Sequence, residues 1–145
     1  MIIPDVNLLI YAYNDQAPQH LAAKEWWEVL LNGQRPVGLP WITISGFIRL
    51  ITHPRILVTP LDVPSTVRHV RAWLAQPPVR VLHPGSRFER LFMDYLDQLG
   101  TAANLTTDAQ LAALAVEHQA ELHSTDHDFA RFEGLRWLNP LKAGA

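Results

Sequence analysis

Short apolar runs alternate along this chain with longer stretches whose apolar positions recur every three or four residues, the pattern of strands interleaved with helices. Residues 2–5 read as a short buried strand and residues 7–13 as a helix ending near Asn14 and Asp15. A second helix is expected over residues 18–31. There Ala22, Trp26, Val29 and Leu30 share one face, the expected buried stripe, while Lys24 and Glu28 stand four apart on the other. Asn32 and Gly33 close it, and residues 36–40 suggest a second strand. Residues 41–52 carry Ile42, Ile44, Phe47, Ile48 and Ile51 at mostly helical spacing and stop where His53 precedes Pro54, a junction that disfavours helix.

After a proline-bearing connection, Asp62 is placed to cap a further helix with Pro64 in its first turn, where the missing N–H costs little. Its expected stripe is Val63, Val67, Val70 and Leu74. Gln76-Pro77-Pro78 ends it, and residues 79–82 read as a strand. The clearest helix covers residues 87–99, with Phe88, Leu91, Phe92, Tyr95, Leu96 and Leu99 on its buried face and Gly100 as C-cap. The last third reads as helix 108–118, strand 121–125, a short turn or helix over 128–132 and a final strand near 135–138. No repeat, low-complexity tract or linker interrupts this order. It predicts an α/β domain spanning residues 1–145, three layers deep, with a mostly parallel central sheet flanked by helices.

In such a sheet the loops at the carboxyl ends of the strands form the functional crevice. Asp5, Asp108 and Asp126 all fall at junctions of that kind. Any one of them alone reads as a helix cap or turn former; together they point to a hard-cation site. Thr107-Asp108-Ala109-Gln110 has capping-box spacing, with Thr107 as N-cap and Gln110 at the third helical position, which frees Asp108 to face a cleft. In Ser124-Thr125-Asp126-His127-Asp128-Phe129, one acid serves the turn and the other reaches outward. Asp126, nearer the strand end, is the expected functional acid, and Asp128 the local cap. Clustered carboxylates are unfavourable unless a raised pKa or a bound cation offsets their repulsion, and Mg²⁺ or Mn²⁺, hard ions that retain waters, are the natural occupants.

Composition narrows the alternatives. There is no cysteine, which excludes disulfides, thiolate chemistry and cysteine-based zinc sites. The seven histidines form no HExxH helix and are assigned to surface or polar packing. A formal net charge of −2 is no basis for binding nucleic acid by bulk charge. Ten of the twelve positive residues are nonetheless arginine, which suits phosphate forks and permits a local basic groove. The opening residues lack a signal-peptide pattern and no apolar run approaches a membrane span, so a soluble, cytoplasmic protein is expected. Phosphate-binding glycine loops and a GxSxG elbow are absent.

Three segments carry a resemblance. Ile2-Ile3-Pro4-Asp5-Val6-Asn7-Leu8-Leu9, Thr107-Asp108-Ala109-Gln110-Leu111-Ala112-Ala113-Leu114-Ala115, and Ser124 to Phe129 followed by Leu135-Arg136-Trp137-Leu138-Asn139-Pro140-Leu141 resemble the acid-bearing segments of PIN-domain proteins, above all VapC ribonuclease toxins. The resemblance implies a Mg²⁺-dependent endoribonuclease. Asp5, Asp108 and Asp126 would be its metal ligands and catalytic acids, Asn7 would orient Asp5, and Mn²⁺ would be an alternative ion. It also implies a cognate antitoxin, an RNA substrate and a homodimer, with the helices beginning near Pro18 and Asp62 as candidate surfaces for the antitoxin. One departure stands out: the family commonly carries a Glu on the helix after the second strand, whereas residues 41–50 contain no acid, and Gly46 stands near the expected position. Arg49 on that helix is a candidate for substrate contact or charge balance, or for an ion pair on the helix surface. The missing acid also leaves open a rival reading, a PIN fold without catalysis that binds RNA or protein.

Overall fold

The computed structural model describes residues 1–142; Ala143 to Ala145, the end of the expected domain, lie outside the described residues. Five strands form one sheet: β1 (Ile2–Pro4), β2 (Val37–Pro40), β3 (Val79–Leu82), β4 (Glu121–His123) and β5 (Arg136–Leu138). Their spatial order is β3-β2-β1-β4-β5 and every pairing is parallel. Six helices flank it: α1 (Val6–Tyr13), α2 (His20–Leu31), α3 (Trp41–Ile51), α4 (Val63–Leu74), α5 (Phe88–Leu99) and α6 (Thr106–Glu117). The expected three-layer α/β architecture is the observed one, with a sheet that is parallel throughout.

The alternation of strand side chains divides the core in two. Val37, Leu39 and Val79 join Leu9, Trp27, Phe47 and Trp73 in a cluster built largely on α1 to α4. Ile3, Leu82 and Leu122 join Tyr95, Leu111 and Phe129 in a second cluster built on α5, α6 and the segment before β5. Asp62 caps α4 by accepting from Ser65 N at 2.8 Å, and Gly100 ends α5 in the left-handed region at φ 68°, both as expected. Among the described residues no helix is long and apolar enough to cross a membrane.

Two helix faces differ from expectation. On α2 the residues that enter the core are Ala23 and Trp27, the latter 2% exposed, whereas Ala22 is exposed and Val29 is 64% exposed. The helix is turned by about one position from the expected stripe, because Trp27 finds an edge-to-face partner in Trp73 at 5.4 Å and buries more apolar area than Val29 offers. On α4 the buried residues are Thr66, Val70 and Trp73, with Val63 exposed. Thr66 can be buried because its hydroxyl donates to Asp62 O at 2.8 Å. Trp73 Nε1 donates to the Tyr13 hydroxyl at 2.7 Å, tying α4 to α1.

Trp73 is therefore the keystone of the larger cluster. Trp73→Ala is expected to cost about 3–5 kcal/mol, and Trp73→Phe less, in urea unfolding. A cost of Trp73→Ala below ~1 kcal/mol would contradict this packing.

Candidate metal centre

In the order β3-β2-β1-β4-β5 successive strands are added to one side of β1 and then, from β4, to the other, so the crevice opens at the carboxyl ends of β1 and β4. The register pairs Pro4 with His123, and Asp5 N donates to His123 O at 2.9 Å. Asp5 and Ser124 are thereby set side by side just past the sheet. Asp5, only 7% exposed, caps α1 through Oδ1, which accepts from Val6 N at 2.7 Å. Its Oδ2 accepts from Ser124 Oγ, also at 2.7 Å.

Ser124 is the hub of the site. Fully buried, its hydroxyl gives its proton to Asp5 while accepting from Asp126 N at 3.0 Å and, at a longer 3.4 Å, from Asn7 Nδ2. That uses one donor and two lone pairs, the whole capacity of a hydroxyl. Its backbone is fixed as well: Ser124 N donates to Leu138 O at 3.1 Å, and Trp137 Nε1 donates to Ser124 O at 3.0 Å. Asn7 makes its shorter bond to Thr125 Oγ1, at 2.9 Å. Asn7, expected to orient Asp5, thus connects to it through Ser124. Sequence reasoning missed this hub; the available signal was a small hydroxyl residue directly after a buried strand.

Two local assignments need correcting. Asp126 caps the 3₁₀ turn His127–Arg131, its Oδ1 accepting from Asp128 N at 2.9 Å, so Asp126 does the turn work expected of Asp128. Asp128 carries only a long contact to Arg131 Nε, 3.6 Å, between side chains that are both about half exposed. The capping box at Thr107 does not form. A 3₁₀ turn, Ala103–Leu105, runs directly into α6, whose first residue is Thr106 and whose boundary residue Leu105 offers no side-chain cap. Asp108 still lies in the first turn of α6, where the helix dipole favours an anion.

These elements bring Asp108, Asp126 and Asp128 together, with one carboxylate oxygen of each lying within 4.8 Å of the others. Asp108 has its pKa pushed up to about 7, first by burial and then by the charges of Asp5, Asp126 and Asp128. Burial also raises Asp5, opposed by its bonds to Ser124 and Val6. The donor set fits a hard divalent cation: oxygen ligands only, three carboxylates that crowd one another, and an Asn7 Oδ1 acceptor buried without a partner among the described residues. No histidine belongs to the cluster. His123 is structural, bonded through Nε2 to Glu121 Oε1 at 2.7 Å and accepting at Nδ1 from Trp26 Nε1 at 3.0 Å, which fixes it as the neutral Nε2–H tautomer; burial holds its pKa down.

Beside Asp5, α3 lines a cavity of about 270 Å³ with Thr43, Ser45, Gly46 and, from its last turn, Arg49. No carboxylate comes from this helix. Arg49 is exposed and makes no ion pair among the described residues, so a surface ion pair is not its role there.

Residues 2–135 match the profile of the PIN domain family. The chain is 47% identical over 142 residues to Ribonuclease VapC33 of Mycobacterium tuberculosis (strain H37Rv), covering 98% of this chain and 99% of that protein. It is 40% identical over 140 residues to Ribonuclease VapC37 of the same organism, covering 97% of each. Among solved structures it is similar in fold to Mycobacterium tuberculosis VapC20, described as a sarcin–ricin loop cleaving toxin, with a TM-score of 0.68 at 18% identity over 94% of this chain and 99% of that one. VapBC2 from Rickettsia felis, bound to a promoter DNA fragment, gives 0.67 at 15% identity, covering 96% and 98%.

Two outcomes follow from the geometry. Ser124→Ala strands Asn7 and Asp126 N and removes a donor from buried Asp5, so it should cost about 1–3 kcal/mol in chemical denaturation; no measurable loss would mean the hub is not formed. Asp108 holds a proton in the folded chain up to about pH 7 that the unfolded chain releases near 3.8. Without metal, its contribution therefore falls as pH rises between those values and stays low above them. Asp108→Asn should melt higher than wild type at about pH 8, by on the order of 1–2 kcal/mol after allowing for solvent screening of a half-buried group, and the gap should close near pH 4. Saturating Mn²⁺ should raise the wild-type melting temperature more than the variant's. Parallel melting profiles across this range would show that the acids do not crowd one another.

Proposed function

The chain belongs to the PIN domain family, in its VapC branch, and from that membership and the acidic crevice we propose that it is a Mg²⁺-dependent endoribonuclease, the toxin of a toxin–antitoxin pair. The observation that carries this reading is the convergence of Asp108, Asp126 and Asp128 beside Asp5 at the reversal point of the sheet. Asp5, Asp108 and Asp126 are the proposed ligands and catalytic acids, with Asp128 adjoining them at the same cluster. When bound, Mg²⁺ or Mn²⁺ supplies Lewis acidity, making a ligated water acidic and offsetting charge on the phosphate.

The chain's own residues do the positioning. Ser124 holds one oxygen of Asp5 and the start of the Asp126 turn, so a single hydroxyl sets the distance between acids 121 positions apart in sequence. Asn7 braces Ser124 and Thr125. Hydrolysis forms a bond from water oxygen to phosphorus and breaks the bond to one ribose oxygen, which leaves with a proton; burial of Asp5 keeps bulk water from competing for its lone pairs. Arg49, uncommitted at the rim, faces the polyanion.

Partner and assembly belong to the same proposal. Helices α2 and α4 border a second cavity of about 470 Å³ lined by Tyr13, His20, Trp27, Leu61 and His69, the proposed grip for a segment of an antitoxin. The solved neighbours include a toxin–antitoxin complex from Klebsiella pneumoniae. A homodimer is the proposed assembly. The rival reading, a binding module without catalysis, is favoured by one observation: α3 presents glycine and hydroxyls where an acid was expected.

The deciding measurement is cleavage of a cellular RNA pool by purified protein freed of any partner, in Mg²⁺, Mn²⁺ or chelator. Metal-dependent fragments are expected from wild type, and Asp5→Asn and Asp108→Asn should each slow cleavage roughly 100-fold or more while retaining the fold. Equal behaviour of wild type and both variants would discard the enzyme, and RNA binding without fragments would favour the binding module.

A further inference from the structure

Thr43 stands in the first turn of α3, 2% exposed, and its hydroxyl has no hydrogen-bond partner among the described residues. A helical threonine usually satisfies a buried hydroxyl by donating to the carbonyl a turn back, so an orphan here calls for a specific explanation. It lines the 270 Å³ cavity beside Asp5, together with Ser45, Gly46, Arg49 and Thr107. The space depends on residue 46 being glycine: a β-carbon there would lie 3.3 Å from Val6 Cγ2, and a longer side chain would take up the cavity.

The walls are largely apolar, from Val6, Ile42, Leu50 and Leu111, and the polar groups set among them include one cation. Arg49 brings a planar fork of N–H groups with no ion pair among the described residues; Thr43, Ser45 and Thr107 also line the space, the Ser45 hydroxyl donating to Ile42 O at 3.4 Å. Asp5 is the single acid of the lining, and its two oxygens already hold Val6 N–H and the Ser124 hydroxyl. Asp108, Asp126 and Asp128 form their own cluster and none of them lines the cavity. The crevice is thus divided at Asp5 into an acid side suited to a cation and a donor side suited to an anion. The volume accommodates a phosphate group with attendant water.

We propose that the cavity seats a backbone phosphate of the RNA, its non-bridging oxygens held by the Arg49 guanidinium and the Thr43 hydroxyl in the space left by Gly46. The inference rests on the ribonuclease reading for the identity of the polymer, while the pocket's preference for phosphate stands on its own lining.

The test is fluorescence anisotropy with a short labelled single-stranded RNA in excess chelator, so that binding is read apart from cleavage. Arg49→Gln should weaken binding at least about fivefold and reduce the slope of log affinity against log salt by about one. Arg49→Lys should fall between, since it keeps the charge and loses the fork. Thr43→Val, close to isosteric, should weaken binding about threefold, and Gly46→Ala should weaken it with no change of charge. Because Arg49 is exposed, its variants do not threaten the fold; thermal melts check the other two. Affinities of Arg49→Gln and Thr43→Val equal to wild type, or a wild type that does not bind RNA in chelator, would overturn the proposal. Graded binding without any cleavage in metal would sink the ribonuclease reading and leave the phosphate seat standing, whereas cleavage with unchanged binding by both variants would do the reverse.

Discussion

The parallel pairing of β1 with β4 is the constraint on which the rest depends. It is short, three residues on each strand, yet it fixes Asp5 beside Ser124 across 119 positions of sequence. Because side chains alternate along a strand, a slip of one residue would send Ile3 and Leu122 out of their cluster and turn Ser124 away from Asp5 together. Packing and site geometry are therefore secured by the same register. The buried alanine and leucine face of α6 then brings Asp108 to the crevice, since the residues that seat this helix, Ala109, Leu111, Ala112 and Ala113, begin immediately after the acid.

The cost of this arrangement is electrostatic. Four carboxylates share one end of the sheet, and those of Asp5 and Asp108 are substantially buried, which raises both above the ordinary aspartate range. Ser124 and Val6 answer the charge on Asp5 with hydrogen bonds, but no side-chain hydrogen bond of that kind serves Asp108. The fold keeps Asp108 in place through the hydrophobic seating of α6, and the local charge is left unbalanced. A site that is less stable without its counter-ion than a neutral one would be is the usual form of a trade between stability and function. The opposite treatment is visible nearby: Glu117, at the far end of α6, accepts from Gly85 N and Arg87 N at 2.7 and 2.8 Å and is fully engaged in holding a loop.

Much of this was legible in the sequence, and the parts that were not share a cause. Strand order in sequence, helix existence and the acid positions follow from periodicity and junction chemistry, which are local. The α2 face was misread because adjacent tryptophans, Trp26 and Trp27, support stripes about 100° apart, and the choice between them was made by Trp73, which is 46 positions away from Trp27. Thr66 was passed over for the same reason, since only the folded chain shows that Asp62 O satisfies its hydroxyl. At the site, proximity to the strand end drew attention to Asp126, which lies in the acidic cluster and also caps the 3₁₀ turn. The division of work between Asp126 and Asp128 depended on which carboxylate the 3₁₀ turn took as its cap, and Asp-x-Asp spacing is symmetrical on that point. Ser124 was hidden because its importance is a count of three hydrogen bonds, two of them to residues at the other end of the chain.

The absence of an acid on α3 takes its meaning from what surrounds it. The space beside a glycine on a buried helix face is ordinarily taken up by a neighbouring side chain or by closer approach of the helix. Neither has happened: α3 is held from the other side by Ile44, Phe47 and Ile51, all essentially buried, so it cannot move inward without vacating the larger cluster. The space is kept open by packing that lies on the opposite face of the helix. A chain with a net charge of −2 has little general attraction for a polyanion, and whatever affinity it has must come from a few well-placed donors. An open pocket with an arginine that makes no ion pair among the described residues and an unsatisfied hydroxyl is such a place: its one carboxylate, Asp5, repels an anion, and its one guanidinium, Arg49, attracts it.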